Sequence, residues 1–328
     1  AIIATKQTDI KKILAYSTMS QLGYMFIAVG LGFYSSGLFH VFTHAFFKAM
    51  LFMGAGRVII AQKQKKNIFN IAKHRAILPI ISATFLIGVI AISGIPPFSG
   101  FFSKDAILAA AFQEGHYLIY GIALFTAFLT AFYMFRLYFV VFVTPNHHKK
   151  EYVYTSKTIT FPLVVLAVGA VTAGFLNLPS IFGGTHMVDT WLGSLNSKTI
   201  TLSHSTEYIL MALTVLVASF GIFIAYKKYA KFDLEKPELE VGFVGRKLYV
   251  DELYDILFVK TSKAISCFID KVLDAKIIDA FIMKSSIYFV AIGRKVALIQ
   301  NANVRFYALF MLAGMTCIFV YLYLKLGL

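Results

Sequence analysis

Runs of about twenty mostly apolar residues recur along the chain, and they constrain its fold more than any other feature. An α-helix rises 1.5 Å per residue, so about 20 such residues cross the ~30 Å hydrocarbon core of a bilayer. Hydrophobic residues make up 59% of the 328 positions and charged residues only 14%. The sequence therefore predicts an all-α, multi-pass integral membrane protein.

We expect a helical bundle of seven membrane spans, the third of which is broken. The spans are predicted at about 13–33, 35–60, 76–105, 117–143, 158–178, 208–226 and 306–324. Within the third span, Pro96 and Pro97 lie between Gly94 and Gly100. Proline removes an amide donor and clashes with the preceding turn, so this pair should interrupt the helix. Between residues 179 and 205 we expect an irregular loop with a short interfacial helix.

Positive charge is concentrated in alternate loops, which argues against the nucleic-acid partner that a net charge of +15 would suggest. Lysine and arginine are concentrated in loops 5–12, 61–75, 144–157 and 227–247. Loops 34–36, 112–116 and 179–205 together contain a single lysine or arginine, Lys198. The positive-inside rule then predicts that the basic loops are cytoplasmic, or on the matrix side in an organelle. We therefore expect the lipid bilayer as a partner, no nucleic acid, and a bacterial inner membrane as the location.

A long amphipathic segment, predicted to run from Leu248 to about Asn301, differs from the spans. Polar residues recur on one helix face and apolar residues on the opposite face. The polar positions are Asp251, Asp255, Ser262, Ser266, Asp270 and Asp274, and the apolar ones are Leu253, Leu257, Ala264, Phe268 and Val272. Charges interrupt every window long enough to cross a bilayer, so we expect a lateral surface helix of about 75 Å that contacts neighbouring proteins.

The second span carries a polar stripe on an otherwise apolar helix. His40, His44 and Lys48 follow one another at intervals of four, which places them on one helix face. A lysine near the bilayer centre costs about 2.5 to 3.5 kcal/mol, so it normally faces protein or water and marks an ion pathway. Because histidine titrates near neutral pH, the stripe predicts a proton relay. The alternative is that the histidines bond to backbone or to hydroxyls such as Thr43, while Lys48 extends to the interface.

Metal and haem sites are disfavoured as uses of these histidines. Histidines four apart can share a metal ion, yet no glutamate lies between them and no third ligand is near in the sequence. A transmembrane haem usually needs histidines on two helices, but the other six fall in or beside loops: His74, His116, His147, His148, His186 and His204. The two cysteines, Cys267 and Cys317, fit no disulfide framework or metal spacing.

The broken helix is the second candidate site. Unwound backbone inside a membrane is tolerated only where it is buried in protein or lines a wet cavity, as in the ion sites of transporters. Lys104 and Asp105 follow the break within two turns and offer an amine and a carboxylate for proton exchange; alternatively, both anchor the outer interface. Arg136 either attracts protons near a cytoplasmic exit or anchors a helix end. Four polar residues of the first span either hold water or bond across helices: Ser17, Ser20, Gln21 and Tyr24.

Three of these segments also carry a family resemblance. They are Thr8–Tyr24 (TDIKKILAYSTMSQLGY), the His40–Lys48 stripe and Gly100–Asp105 (GFFSKD). Together they resemble the antiporter-like membrane subunits of respiratory complex I. The long lateral helix followed by one more span is similar to the subunit L (chain 5) family of these NADH-quinone oxidoreductases. The resemblance is specific over residues 5–110 and extends in architecture to the end of the chain.

The resemblance implies roles for the candidate residues. Lys48 matches the central proton-channel lysine, with His40 and His44 as its hydrated partners. Lys104, beside Asp105, matches the lysine that exchanges protons with the outer side. It also implies four parts: an antiporter-like C-terminal bundle portion (1–145), additional spans (146–247), the lateral helix (248–303) and a terminal span (304–328). The lateral helix would run along other membrane-arm subunits and clamp them.

The chain departs from this family at its front. The family's first half-channel, with its glutamate and lysine pair, has no counterpart, and the chain opens at Ala1 without a methionine. We therefore expect a fragment of a longer protein. No flavin, iron-sulfur or nucleotide motif appears, so flavin, iron-sulfur clusters and quinone are expected in other subunits, and no cofactor in this chain.

Three functional hypotheses follow. The leading one is a non-redox, proton-translocating subunit of an NADH:quinone oxidoreductase, in which quinone reduction elsewhere in the complex drives proton pumping. The second is the large subunit of a multisubunit sodium/proton antiporter, which shares the polar stripe. The third is a structural brace whose lateral helix holds neighbouring subunits together.

Overall fold

The computed structural model describes residues 1–71, 78–143, 156–184, 187–192, 197–230, 242–298 and 303–326. These residues form two units, Ala1–Tyr249 and Val250–Leu328. The α-helices described in the first unit are α1 (Ile10–Gly30), α2 (Tyr34–Ala61), α3 (Pro79–Ser93), α4 (Ser99–Gln113), α5 (Tyr117–Tyr138), α6 (Lys157–Thr172), α7 (Met187–Trp191) and α8 (His204–Tyr229). A π-helical turn extends α5 through Phe139–Val143, and a 3-10 turn extends α6 through Ala173–Asn177.

Six helices of the described chain are long and apolar enough to cross a membrane. They are α1, α2, α5 with its π-helical extension, α6 with its 3-10 extension, α8 and Val304–Leu326. Helix α3 is apolar but too short for this set. Six continuous spans and one broken span agree with the arrangement predicted from the sequence.

The break predicted in the third span lies between α3 and α4. Helix α3 ends at Ser93, and Gly94 follows in the left-handed conformation with φ 75°. A glycine tolerates this conformation because it has no Cβ, which is why glycine commonly terminates helices. Pro96 and Pro97 occupy the connection, and the chain resumes helical structure at Ser99.

Helix α2 packs against α1, α3, α4 and α6 and lies at the centre of the bundle. Two glycines allow α4 to approach its neighbours at the level of the backbone. A Cβ on Gly100 would overlap the carbonyl oxygen of Ala91 in α3, and one on Gly174 would lie 2.7 Å from the Cα of Ser99. The first turn of α4 is therefore held tightly on two sides, and the polar residues that follow it are held in place beside α2.

The second unit begins with a long helix. Its segments follow one another without a gap: α9 (Val250–Tyr254), a π-helical stretch (Asp255–Lys260), α10 (Thr261–Phe268), a second π-helical stretch (Ile269–Asp279) and α11 (Ala280–Ala297). The predicted lateral helix is thus helical from Val250 to Ala297, while its predicted end at Asn301 lies outside the described residues. Helix α12 (Val304–Leu326) completes the unit. Among the side chains described in this unit, none is buried.

Several sequence predictions fall outside the described residues. They include Lys73 and Arg75, the loop residues His147 to Lys150, Lys231 and Lys236, and the predicted boundary at residues 145 and 146. Between residues 179 and 205 the described chain is mostly irregular, with the short helix α7 that the sequence predicted.

Candidate functional site

The polar stripe of α2 faces the interior of the bundle. His40 is fully buried, Lys48 is 5% exposed and His44 is partly buried. The Nζ of Lys48 donates a hydrogen bond to the carbonyl oxygen of Leu14 in α1, at 3.0 Å. An amine in this position has a backbone acceptor instead of lipid or solvent, so Lys48 is a buried interior lysine.

His40 is the centre of a hydrogen-bonded cluster that joins three helices. Its Nδ1 lies 2.9 Å from the hydroxyl of Ser103 in α4, and its Nε2 lies 3.1 Å from Oε1 of Gln21 in α1. The hydroxyl of Thr43, one turn along α2, lies 2.8 Å from that of Ser103. Each of these four residues is fully buried. Buried polar groups are normally satisfied in this way, and here the partners form a continuous chain. The Nε2 of Gln21 has no hydrogen-bond partner among the described residues.

His44 lies between His40 and Lys48 on the same face but belongs to no such chain. Its ring centroid is 6.2 Å from that of His40 and 5.4 Å from that of Phe47. Its buried Nε2 has no hydrogen-bond partner among the described residues. Within the stripe, His40 is therefore hydrogen-bonded directly to other helices. The distance from His40 to Lys48 exceeds the length of one hydrogen bond.

Lys104 is buried beside the helix break, where a backbone carbonyl accepts a hydrogen bond from its amine. Its Nζ donates to the carbonyl oxygen of Ile92 at 2.8 Å, and the residue is 1% exposed. Ile92 lies in the last turn of α3, where helix carbonyls lack an intrahelical amide partner. The amine also lies 5.3 Å from the ring centroid of Tyr24. The interruption of α3 thus supplies the group that holds Lys104 inside the bundle.

Asp105 is also buried, but it contacts a different helix from Lys104. Consecutive helix residues point about 100° apart because a turn contains 3.6 residues. The carboxylate Oδ1 of Asp105 accepts a hydrogen bond of 3.3 Å from the hydroxyl of Thr214 in α8. The described structure contains no ion pair between Lys104 and Asp105. The two residues are therefore neighbours in sequence with separate partners.

A cavity of about 380 Å³ lies beside the second half of α4. Ala106 and Ala109 of α4 line it together with His204 and Glu207 of α8, and Lys198 lies on its wall. The amine of Lys198 forms an ion pair of 2.6 Å with Glu114. The wall also contains polar groups from neighbouring segments, so this cavity is a partly polar space lined by Ala106, the residue that follows Asp105.

Arg136 is buried near the end of α5 and joins this helix to the start of the chain. Its Nη1 donates to the carbonyl oxygen of Gln7 at 2.9 Å. The guanidinium lies 5.5 Å from the ring centroid of Tyr229 and 5.7 Å from that of Phe69. With these contacts and no exposed surface, Arg136 connects three parts of the first unit.

Sequence reasoning missed Ser103 and Thr214. Ser103 immediately precedes Lys104 in the GFFSKD segment, so its position was a usable signal, although serine often bonds to its own helix. Thr214 is one hydroxyl within an apolar span, and no local pattern distinguishes it. Three of the four ambiguous polar residues of the first span bond across helices: Gln21 bonds to His40, the hydroxyl of Tyr133 donates to Ser17, and that of Tyr24 donates to Ala123. The buried Oγ of the fourth, Ser20, has no hydrogen-bond partner among the described residues.

Comparison with known proteins identifies relatives that align with more than nine tenths of this chain. Residues 1–130 match the family model for NADH:quinone oxidoreductase/Mrp antiporter, TM. The chain is 37% identical to the NAD(P)H-quinone oxidoreductase chain 5 of Picosynechococcus sp., over 94% of this chain and 52% of that protein. It is 34% identical to the NADH-quinone oxidoreductase subunit L of Campylobacter jejuni, over 92% of this chain and 49% of that protein.

The chain spans about half the length of these relatives. Among solved structures, its fold is similar to a chain of the Mrp complex from Dietzia sp., with a TM-score of 0.53 and 18% sequence identity. That similarity covers 97% of this chain and 31% of the other. The transmembrane family match and the six apolar helices together show that the chain is an integral membrane protein.

Proposed function

We propose that the chain, which belongs to the chain 5 and subunit L family of NADH-quinone oxidoreductases, translocates protons as a membrane subunit of such a complex. Its relatives bear the names of subunits of an enzyme complex, and the polar residues buried in this chain suit a proton path. In this proposal the chain is a non-redox part of a translocase. Quinone reduction in other subunits supplies the driving free energy.

One observation carries the proposal: the bundle buries two lysines and a hydrogen-bonded histidine. Lys48 and Lys104 are 5% and 1% exposed, and His40 bonds to side chains on two other helices. Ionisable residues at membrane depth are energetically expensive and are usually functional. A chain of hydroxyl and imidazole groups can pass protons, since each group both donates and accepts.

We infer the following roles. Lys48 exchanges a proton with the His40 cluster, with His44 lying along that step and water bridging the distance. Lys104 exchanges protons on the side of the helix break, close to the ring of Tyr24. The side chain of Asp105 forms no ion pair with that of Lys104 in the described structure. It would instead connect, along the side of α4 that faces Thr214 of α8, to the polar cavity beside Glu207. This cavity would give the outer side of the membrane access to the relay.

The complex would supply the remaining parts of the reaction. Flavin, iron-sulfur clusters and quinone would be bound by other subunits, since electron transfer requires such carriers. The long helix of the second unit, Val250–Ala297, would run along neighbouring membrane-arm subunits. A bacterial inner membrane fits the relative from Campylobacter jejuni.

Proton pumping by the intact complex tests the proposed function. Lys48→Met and Lys104→Met each remove a buried amine while keeping a flexible apolar side chain. We expect both variants to assemble and to lose most proton pumping in NADH-energised membrane vesicles. Lys227→Met is the matched control, because Lys227 is exposed in the last turn of α8. Pumping at the wild-type level in both interior variants would refute the proposal.

A sodium/proton antiporter subunit is the second candidate. The family model names Mrp antiporters as well, and the fold is similar to a chain of the Mrp complex. Such a protein would move sodium without dependence on NADH. Purification of the chain with hydrophilic redox subunits, together with NADH-driven pumping in sodium-free buffer, would exclude this alternative. Sodium-dependent transport in the absence of those subunits would support it.

A further inference from the structure

Gln21 lies on the buried face of α1, directly opposite the imidazole of His40. It is fully buried, and its Oε1 is 3.1 Å from Nε2 of His40. We propose that Gln21 is a positioning residue that holds His40 in the tautomer with hydrogen on Nε2, and thereby confines proton exchange of this ring to Nδ1 and Ser103. This inference rests on the proton-carrying role proposed above for His40.

The amide oxygen of Gln21 sets the direction of the hydrogen bonds in the cluster. A neutral imidazole has one donor nitrogen and one acceptor nitrogen, and the partner of one fixes the other. With the amide oxygen of Gln21 facing the ring, Nε2 donates and Nδ1 accepts. The hydroxyl of Ser103 then donates to Nδ1 at 2.9 Å and accepts from the hydroxyl of Thr43 at 2.8 Å. The hydroxyls of Thr43 and Ser103 also lie 3.2 Å from the carbonyl oxygens of His40 and Ser99 in their own helices, but the contacts within the cluster are shorter. Hydrogen bonds along the shorter contacts point from Thr43 through Ser103 and His40 to Gln21.

This direction defines where a proton enters and leaves the ring. A proton delivered to the Thr43 oxygen moves the hydroxyl proton of Thr43 to Ser103, and the proton of Ser103 moves to Nδ1 of His40. Both hydroxyls keep one proton, and the ring gains one. The Nε2 hydrogen stays bonded to the amide of Gln21, because an amide oxygen accepts hydrogen bonds but is a very weak base. The proton leaves by the reverse path through Nδ1, so the ring exchanges protons on one side only.

Contacts of the neighbouring residues separate Gln21 from the other polar groups of α1. The hydroxyl of Ser17, one turn earlier, accepts from Tyr133 in α5 at 3.0 Å. The hydroxyl of Tyr24, one turn later, donates to the carbonyl of Ala123 in α5 at 2.6 Å. Of these three polar side chains, Gln21 is the one that hydrogen-bonds to the stripe of α2 in the described structure. A purely structural role would be expected to tie α1 to α5, as its neighbours do.

The test compares substitutions of Gln21 within the intact membrane complex. Gln21→Met keeps the length of the side chain but removes the acceptor, whereas Gln21→Glu keeps an oxygen acceptor whether or not its carboxyl group is protonated. The readouts are protons pumped per NADH oxidised and the ¹⁵N NMR signals of the ring of His40. Those signals are identified by difference from a His40→Asn complex. Ser17→Ala is the matched control, on the same helix face.

We expect Gln21→Met to lower pumping per NADH about fivefold, the factor that corresponds to one hydrogen bond of about 1 kcal/mol. We also expect its His40 signal to change from one tautomer to a mixture. Gln21→Glu should restore the single tautomer in the ¹⁵N signals, because its carboxyl oxygen accepts from Nε2 as the amide does. Ser17→Ala should alter neither property. Equal losses in Gln21→Met and Ser17→Ala would assign the effect to packing of α1 and overturn the inference. A dominant Nδ1–H tautomer in the unaltered complex would overturn it as well.

The same experiment separates this inference from the proposed function. If His40→Asn pumps normally, the proton-carrying role of His40 is wrong. If His40→Asn loses pumping while Gln21→Met matches the unaltered complex in pumping and in the ¹⁵N signals, the role of His40 stands and the positioning role of Gln21 is wrong.

Discussion

The hydroxyl of Ser103 lies 2.9 Å from Nδ1 of His40, although 63 positions separate the two residues in the sequence. This contact connects the polar stripe of α2 to the first turns of α4, where Lys104 is the next residue. Helix α1 forms a common wall for the same groups. Its Leu14 carbonyl accepts from Lys48, its Gln21 bonds to His40, and its Tyr24 ring lies near Lys104. The two lysines and the histidine thus share one internal surface.

Replacement of Ser103 by alanine should interrupt the relay between α4 and α2. The hydroxyl joins His40 to Thr43, so its loss removes the bridge while it leaves the helix intact. We expect proton pumping per NADH to fall about fivefold, with normal assembly. Ser93→Ala is the control, because the buried hydroxyl of Ser93 donates to Val89 of its own helix. Equal pumping in the two variants would contradict this role for Ser103.

Replacement of Gly100 by alanine should disturb the packing of the broken helix. The added Cβ would overlap the carbonyl oxygen of Ala91, so α4 must move away from α3. We expect a destabilisation of about 1–3 kcal/mol, typical of overpacking, measured as a lower unfolding temperature of the purified complex. Gly121→Ala is the control, since its Cβ would meet no atom within 4 Å. A stability loss shared by both variants would argue against the close approach as the cause.

Substitutions at Asp105 and Thr214 should have graded effects. Asp105→Asn removes the ionisable group, and we expect pumping to fall about a hundredfold, as for other positioned proton-transfer groups. Thr214→Val keeps the carboxylate but removes the hydroxyl that contacts it at 3.3 Å and the carbonyl of Leu210 in its own helix at 2.9 Å, and it should reduce pumping about fivefold. Thr172→Val, an exposed hydroxyl bonded to its own helix, provides the control for threonine replacement. An effect of Thr214→Val as large as that of Asp105→Asn would contradict this order.

Loss of the guanidinium at Arg136 should reduce stability more than pumping. Arg136→Met removes a buried charge-assisted hydrogen bond to Gln7, which is worth about 1.5–3 kcal/mol. Arg136→Lys keeps the charge but loses the guanidinium that lies 5.5 Å from the ring centroid of Tyr229, so we expect an intermediate unfolding temperature. Arg246→Met, an exposed arginine, should change stability by less than about 0.5 kcal/mol. A normal unfolding temperature for Arg136→Met would exclude this structural role.

The amino-acid sequence by itself determined the helical elements and their breaks. Apolar runs of bilayer length specified the spans, the spacing of His40, His44 and Lys48 placed them on one face, and the prolines after Gly94 ended α3. These features follow from local rules, namely the 3.6-residue period and the missing amide of proline, which act within one segment of chain.

Only the tertiary structure decided which groups meet. It brought Ser103 and Gln21 to opposite sides of His40, and it gave Lys104 and Asp105 different partners. The physical reason is that contacts between helices depend on how closely the backbones approach. At α4 that approach depends on Gly100, where the absence of a Cβ brings the helix against its neighbour.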